Sequence, residues 1–95
     1  MQLPATATIE QAAALVKNIE EAVGQLPAGD DLLIDAAALR GFDTSVVAVL
    51  LHARRVAQRA GRGFQVVGAP EKLATLARLY GVEELLTLAP ASQQR

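Results

Sequence analysis

Three consecutive polar residues, Asp43, Thr44 and Ser45, precede a strongly apolar segment and are the residues of this sequence best placed to do chemistry. At the start of a helix, a side-chain oxygen accepts a hydrogen bond from an unpaired backbone N–H group, so capping explains one of the three. The same N–H groups favour negative charge, so the fold would tolerate a phosphate on Thr44 or Ser45. The stretch is therefore either an ordinary cap within a polar loop or a modifiable contact site.

Catalytic chemistry by these hydroxyls is not expected. His52 is the only histidine, and the sequence contains no cysteine, so neither a hydrolytic triad nor a metal site is predicted. The glycines at Gly61 and Gly63 lack the spacing and the lysine of a phosphate-binding loop, and they indicate a turn at a helix end. We expect a non-enzymatic protein with no cofactor and no metal.

The segment after the polar residues predicts a helix from about Asp43 to Ala60. One apolar stripe should face a sheet, and its members are Val46, Val49, Leu50, Ala53, Ala57 and Ala60. Val47 and Leu51 point away from that stripe. Either a neighbouring helix of the same domain covers them, or they form a docking patch for a partner protein. His52 is predicted on the face opposite the core, directed at solvent or at a partner.

Positive charge is concentrated on this helix and the turn after it, at Arg54, Arg55, Arg59 and Arg62. The cluster is interpreted as a solvated helix face, as a set of ion pairs to an acidic partner, or as weak attraction to the inner membrane leaflet. Arg54 and Arg55 follow Leu51 by about one turn. They are therefore expected at the rim of any docking patch.

The composition indicates a single globular domain over residues 1–95, with a polar tail from about residue 91. The chain has 95 residues, of which 52% are hydrophobic and 20% are charged. A net charge of -1 and only two Phe and one Tyr argue against nucleic-acid binding. Neither a membrane-spanning segment nor a signal peptide is predicted, so we expect a soluble, cytoplasmic protein.

The remaining pattern predicts an α/β fold. A capping box of Thr8 and Gln11 starts a helix that Gly24 ends. Two apolar runs, Leu32–Ala36 and Phe64–Gly68, flank the second helix as parallel buried strands. A third helix begins with Pro70 as its first residue and ends at Gly81, with an apolar stripe of Leu73, Leu76, Ala77 and Tyr80. Residues 82–90 predict one helical turn followed by a short strand.

Residues from about 32 to 88 resemble the STAS domain, the family of bacterial anti-sigma-factor antagonists and of cytoplasmic tails of sulfate transporters. The stretch is LLIDAAALRGFDTSVVAVLLHARRVAQRAGRGFQVVGAPEKLATLARLYGVEELL. Its Asp-Thr pair, its LLH run and its LARLYGV helix end look most like the small STAS subunit of the Mla phospholipid-transport ABC complex. The resemblance implies a STAS-like mixed sheet of about four strands flanked by helices, with its functional surface at residues 43–45.

The resemblance also implies a protein partner. In the Mla-like branch the partner is the ABC transporter ATPase subunit, and the key hydroxyl directly follows the Asp, which matches Thr44. In anti-sigma-factor antagonists the partner is an anti-sigma-factor kinase, and the phosphorylated Ser is the second residue after the Asp, which matches Ser45. Some STAS domains hold small ligands, but no loop here argues for one. The expected partner-binding set is Asp43, Thr44, Ser45, Val47, Leu51, Arg54 and Arg55.

Two features depart from the family pattern. Val46 stands where a Gly or another small residue is usual, which would alter the close approach of a partner. The shortened amino terminus lacks most of the usual opening pair of strands. A sheet edge is therefore expected to be exposed or paired with a second copy of the chain in a homodimer.

Overall fold

A computed structural model describes residues 1–86 and 88–90 as five short strands and four helices. In chain order the elements are β1 (Thr6–Ala7), α1 (Ile9–Gly24), β2 (Leu32–Asp35), β3 (Gly41–Phe42), α2 (Ser45–Arg59), β4 (Phe64–Ala69), α3 (Glu71–Leu79), α4 (Glu83–Leu86) and β5 (Leu88–Pro90). The expected α/β class is confirmed, and so is the helical turn followed by a strand at the end. The predicted polar tail lies outside the described residues.

The crossover from β2 through α2 to β4 forms the centre of the fold. β2 and β4 pair in parallel, from Leu32 opposite Phe64 to Asp35 opposite Val67. β4 also pairs in parallel with β5, which gives the strand order β2-β4-β5. Both predicted strands are confirmed, although β2 ends one residue earlier than expected and β4 ends one residue later.

The strands differ in arrangement from the expected mixed sheet of about four. Besides the three-stranded sheet there is a second sheet of two strands, in which β1 pairs with β3. All pairings between the described strands are parallel. β3 directly precedes α2 in the chain. Its pairing with β1 therefore fixes the point at which the chain enters that helix.

The amino-terminal residues cover the outer edge of β2, so the expectation of an exposed edge there is wrong. The backbone N–H of Asp35 donates to the Met1 carbonyl at 2.7 Å, and the N–H of Leu3 donates to the Asp35 carbonyl at 2.8 Å. Gln2 and Asp35 form a parallel bridge. Because these backbone groups are satisfied within the chain, this edge gives no reason for the expected homodimer.

The core is built from the predicted stripes of the two long helices and the inner faces of β2 and β4. On α2 the predicted stripe is buried, apart from Ala60, which is exposed and follows the last helical residue. The α1 stripe contributes Leu15, Ile19 and Val23. Burial of each large aliphatic side chain contributes about 1.5–3 kcal/mol to folding. The core therefore packs the predicted stripe of α2 against the sheet.

Gly68 produces a bulge in β4 that directs the chain into α3. Its φ is +67°, and a Cβ atom at this position would lie 3.0 Å from the Ala37 Cβ, so only glycine fits without strain. Two residues later, Pro70 is extended and precedes the first residue of α3, which is Glu71. The prediction that Pro70 is the first helical residue is therefore wrong by one position.

His52 lies at the contact between α1 and α2, and not on the free face where it was expected. Its Nε2 is 3.0 Å from the Glu20 Oε2. The helical wheel of α2 alone could not show that α1 packs on this side of it. His52 therefore joins two helices of the same domain.

Arg62 serves the fold and not the expected basic cluster. Its guanidinium donates to the carbonyl oxygens of Pro27 at 2.6 Å and Asp30 at 3.2 Å. The next residue, Gly63, donates its backbone N–H to the Asp31 carboxylate at 3.1 Å. Together these bonds fasten the turn after α2 to the loop between α1 and β2.

Candidate functional site

The start of α2 is held in place by the carboxylate of Asp43. Its Oδ1 accepts the Ser45 backbone N–H at 2.9 Å and also the Ser45 hydroxyl. Its Oδ2 accepts the backbone N–H of Ile9, the first residue of α1, at 3.1 Å. One carboxylate thus caps two helices, and the predicted capping role of Asp43 is more extensive than the sequence indicated.

These hydrogen bonds also affect the charge state of Asp43. The Ser45 hydroxyl, and then the Ile9 backbone N–H, lower the pKa of this carboxyl below its ordinary value of 3.8. The side chain is therefore ionised throughout the neutral range. Its negative charge interacts favourably with the positive, amino-terminal ends of the α1 and α2 dipoles.

The two neighbouring hydroxyls have different surroundings. Ser45 is half-buried, and its Oγ donates to Asp43. Thr44 is exposed, and among the described residues its Oγ1 has no hydrogen-bond partner. Thr44 occupies the cap position of α2 without capping it, because Asp43 already satisfies the first N–H of the helix. Its hydroxyl is thus left available to solvent or to another molecule.

A shallow groove begins at Thr44 and runs along the outer face of α2. It has a volume of about 360 Å³, and its lining residues are Thr44, Val47, Ala48, Leu51, Tyr80 and Val82. One wall is the first half of α2, and the other is the turn between α3 and α4. The groove therefore brings together residues from two distant parts of the sequence.

The domain covers Val47 and Leu51 to different extents. Val47 is only 6% exposed and belongs to the hydrophobic core, so the domain itself covers most of it. Leu51 is half-buried and packs against that core. Val47 is therefore the floor of the groove and not a projecting contact, while Leu51 presents apolar surface along its side.

Tyr80 and Val82 were missed as site residues. Tyr80 was predicted in the buried stripe of α3, but α3 ends at Leu79 and Tyr80 is 55% exposed. Gly81 follows with a φ of +69° and turns the chain toward α4. Tyr80 therefore lines the groove, a position that the apolar spacing of α3 alone did not indicate.

A second hollow lies on the other side of Thr44. Its volume is about 440 Å³, and its lining residues are Arg40, Gly41, Phe42, Asp43, Thr44, Lys72 and Leu76. Neither cation was identified from the sequence, because Arg40 and Lys72 are far apart in the chain. Arg40 also donates to the Ala37 carbonyl at 3.1 Å, so its guanidinium is held near the loop before β3. Thr44 thus separates a mostly apolar groove from a basic hollow.

The predicted rim cations are not part of the groove lining. Arg54 is half-buried and Arg55 is exposed, one turn beyond Leu51 on α2. Neither has a carboxylate within ion-pair distance among the residues that the structure describes. The structure therefore places Thr44, Val47 and Leu51 in the groove, Asp43 and Ser45 at the entrance of α2 beside it, and Arg54 and Arg55 beyond it.

A family model matches most of the chain. The model of the Mlab STAS domain matches residues 1–87, a span that includes α1 to α4 and the whole site. The chain belongs to the STAS family. A comparison with curated proteins found no match to it.

Membership in this family gives a general role. STAS domains are generally non-enzymatic modules for interaction with other proteins. Within the described ranges, no helix has the length and apolar character needed to cross a membrane. In the same part of the chain, no three His, Cys, Asp or Glu side chains form a group that could hold a metal ion.

Proposed function

We propose that this protein is a non-enzymatic accessory subunit that binds the ATPase subunit of a Mla-type phospholipid-transport ABC complex. It acts as a single domain over residues 1–95 in the cytoplasm, held at the inner face of the membrane by its partner. The observation that carries the proposal is the exposed, unbonded hydroxyl of Thr44 beside an open apolar groove. The match to the Mlab STAS domain supports the choice of partner.

Each site residue has a distinct part in this proposal. Asp43 orients the entrance of α2 through its bonds to Ile9 and Ser45. Thr44 is the central contact, and its hydroxyl can both donate and accept a hydrogen bond. Leu51 supplies apolar area at the side of the groove. Exclusion of water around a polar contact of this kind is what makes it contribute strongly to affinity.

Calorimetry with the purified ATPase subunit from the same organism tests the proposal. Thr44→Glu introduces a charge and a longer side chain at the centre of the contact, so we expect affinity to fall at least about tenfold, or ~1.4 kcal/mol. Ala13→Glu makes the same charge change at an exposed position on α1 and should leave affinity within about twofold. Equal affinity of wild type and Thr44→Glu would contradict the proposal.

The alternative is an anti-sigma-factor antagonist that a kinase phosphorylates at Ser45. The geometry gives it less support, because the Ser45 side chain is half-buried and its hydroxyl is bonded to Asp43. A phosphate there would have to displace that bond and lie beside a carboxylate. Intact-mass analysis of the protein from its source cells distinguishes the two. A large phosphorylated fraction mapped to Ser45 would favour the alternative.

A further inference from the structure

The groove and the basic hollow form one continuous surface with positive charge at both ends. Thr44 lines both depressions, so Arg40 and Lys72 lie on one side of it and the groove lies on the other. At the far end of the groove, Arg54 and Arg55 occupy the next turn of α2. The apolar centre thus stands between two pairs of cations.

These four cations form no ion pair among the residues that the structure describes. The ion pairs among the described residues are His52 with Glu20 and Arg78 with Glu83, and neither includes them. The ten acids are not confined to the other side of the domain. Five are on α1 and the loop after it, but Asp43 lines the hollow itself, and Glu83 and Glu84 directly follow the groove residue Val82. Both carboxylate oxygens of Asp43 accept backbone N–H groups at the starts of α1 and α2. The hollow therefore holds two cations against one carboxylate, and Arg54 and Arg55 have no carboxylate within ion-pair distance among the described residues.

The spacing of the charged ends indicates the shape of the occupant. Thr44 and Arg54 are ten residues apart, which at about 1.5 Å per residue is about 15 Å of helix. An apolar stripe of that length corresponds to about three turns of a partner helix. An amphipathic helix laid in an apolar groove is a common mode of protein recognition.

We infer that the groove receives an amphipathic helix of the partner protein that carries acidic side chains near both ends of its apolar stripe. The stripe packs on Leu51 and Val82. One acidic end lies near Lys72, and the other lies near Arg54 and Arg55. The inference rests on the proposed docking function of this surface and adds the chemistry of the partner segment to it.

A peptide pair tests the chemistry directly on the whole protein. The first peptide is helical, about 15 residues long, with leucines spaced three and four apart and glutamates in its first and last turns. The second has glutamine for every glutamate. By fluorescence anisotropy at about 0.05 M salt we expect the acidic peptide to bind at least about tenfold tighter, and the difference to fall below about threefold at 0.5 M. Equal binding of the two peptides, or no binding of the acidic one, would overturn the inference.

Charge-reversal variants assign the effect to the two ends. Arg54→Glu and Lys72→Glu should each weaken binding of the acidic peptide at least about fivefold. The matched control is Lys17→Glu, an exposed position on α1 outside both depressions, which should change it less than twofold. If all three variants weaken binding equally, the attraction is general and the inference fails.

Two further outcomes separate this inference from its alternatives. Sedimentation of the protein with phosphatidylglycerol vesicles, lost in Arg54→Glu, would show that the cations contact lipid and would overturn it. If the ATPase subunit binds wild type and Arg54→Glu equally but binds Thr44→Glu weakly, the proposed function stands and the inference fails. If the acidic peptide binds as expected but the ATPase subunit does not bind, the chemistry stands and the choice of partner is wrong.

Discussion

The two ends of α2 are both hydrogen-bonded to the α1 side of the molecule, but with different consequences. At the carboxyl end, Arg62 and Gly63 bond to two carbonyl groups and a carboxylate of the loop before β2. At the amino end, Asp43 accepts one hydrogen bond from Ile9 of α1, and Thr44 has no side-chain hydrogen-bond partner among the described residues. Hydrogen bonds to the α1 side are therefore more numerous at the carboxyl end of α2, and the available hydroxyl is at its amino end.

This difference shows how a small domain can keep a contact surface without weakening its core. The groove opens on the face of α2 opposite the buried stripe, so the sheet contacts and the proposed docking contacts use different side chains. Val47 is the exception, because it belongs to the core and also forms the groove floor. Substitutions at Val47 will therefore mix stability and binding, whereas substitutions at Thr44 will not.

Arg62→Ala should have the largest effect on stability. It removes charged hydrogen bonds to the carbonyl groups of Pro27 and Asp30, so we expect the free energy of unfolding to fall by about 2 kcal/mol. Urea unfolding measures this change. Arg59→Ala, at an exposed position one turn earlier, is the control and should change stability by less than about 0.5 kcal/mol. Equal effects of the two variants would remove the distinction between the two ends of α2.

Thr44→Val should affect binding and not stability. The valine side chain is close to isosteric with threonine, so folding should change by less than about 0.5 kcal/mol, because the hydroxyl makes no bond within the described domain. Affinity for the ATPase subunit should fall about fivefold, since a hydrogen bond at the interface contributes about 1 kcal/mol. Calorimetry and urea unfolding on the same samples measure both. A clear loss of stability with unchanged affinity would contradict the assignment of binding to the amino end of α2.

Acid should remove the stabilisation that Asp43 gives to the amino end of α2, but only below about pH 5. Because the folded-state pKa of Asp43 is below its ordinary value of 3.8, the stabilisation is present above that value and is lost as pH falls through the lower, folded-state pKa. The difference in unfolding free energy between wild type and Asp43→Asn should therefore be constant above about pH 5 and shrink below it. A difference that grows toward low pH would contradict this assignment.

The smallest effect is expected in the middle of α2, where His52 meets Glu20. Both side chains are partly exposed, so Glu20→Gln should change stability by about 0.5 kcal/mol or less. Thermal unfolding of this variant beside Arg62→Ala gives the comparison. A loss as large as that of Arg62→Ala would show that the α1–α2 connection is not concentrated at the carboxyl end.

Local signals were sufficient for the helices and for β2, β4 and β5, but not for β1 and β3. The capping residues Thr8 and Gln11 and the end at Gly24 predicted α1, and the helix runs from Ile9 to Gly24. The polar residues from Asp43 to Ser45 marked the entrance of α2. Such signals depend on hydrogen bonds between residues a few positions apart, and these can be read from the sequence itself.

Contacts between distant segments were not accessible in the same way. Nothing near Tyr80 indicated that it would form a wall of the groove with Leu51, and nothing near Lys72 indicated a hollow shared with Arg40. A sheet edge was expected to be exposed or paired with a second copy, yet the backbone of the amino-terminal segment pairs with Asp35.

The sequence by itself therefore determined the α/β class, the helices, the parallel crossover and the position of the polar entrance to α2. Only the tertiary structure decided that Val47 forms the floor of the groove and does not project from the surface. The same is true of the pairing of His52 with Glu20 and of the availability of the Thr44 hydroxyl. The reason is that periodicity gives the direction of a side chain relative to its own helix axis. What lies in that direction depends on how the other elements pack.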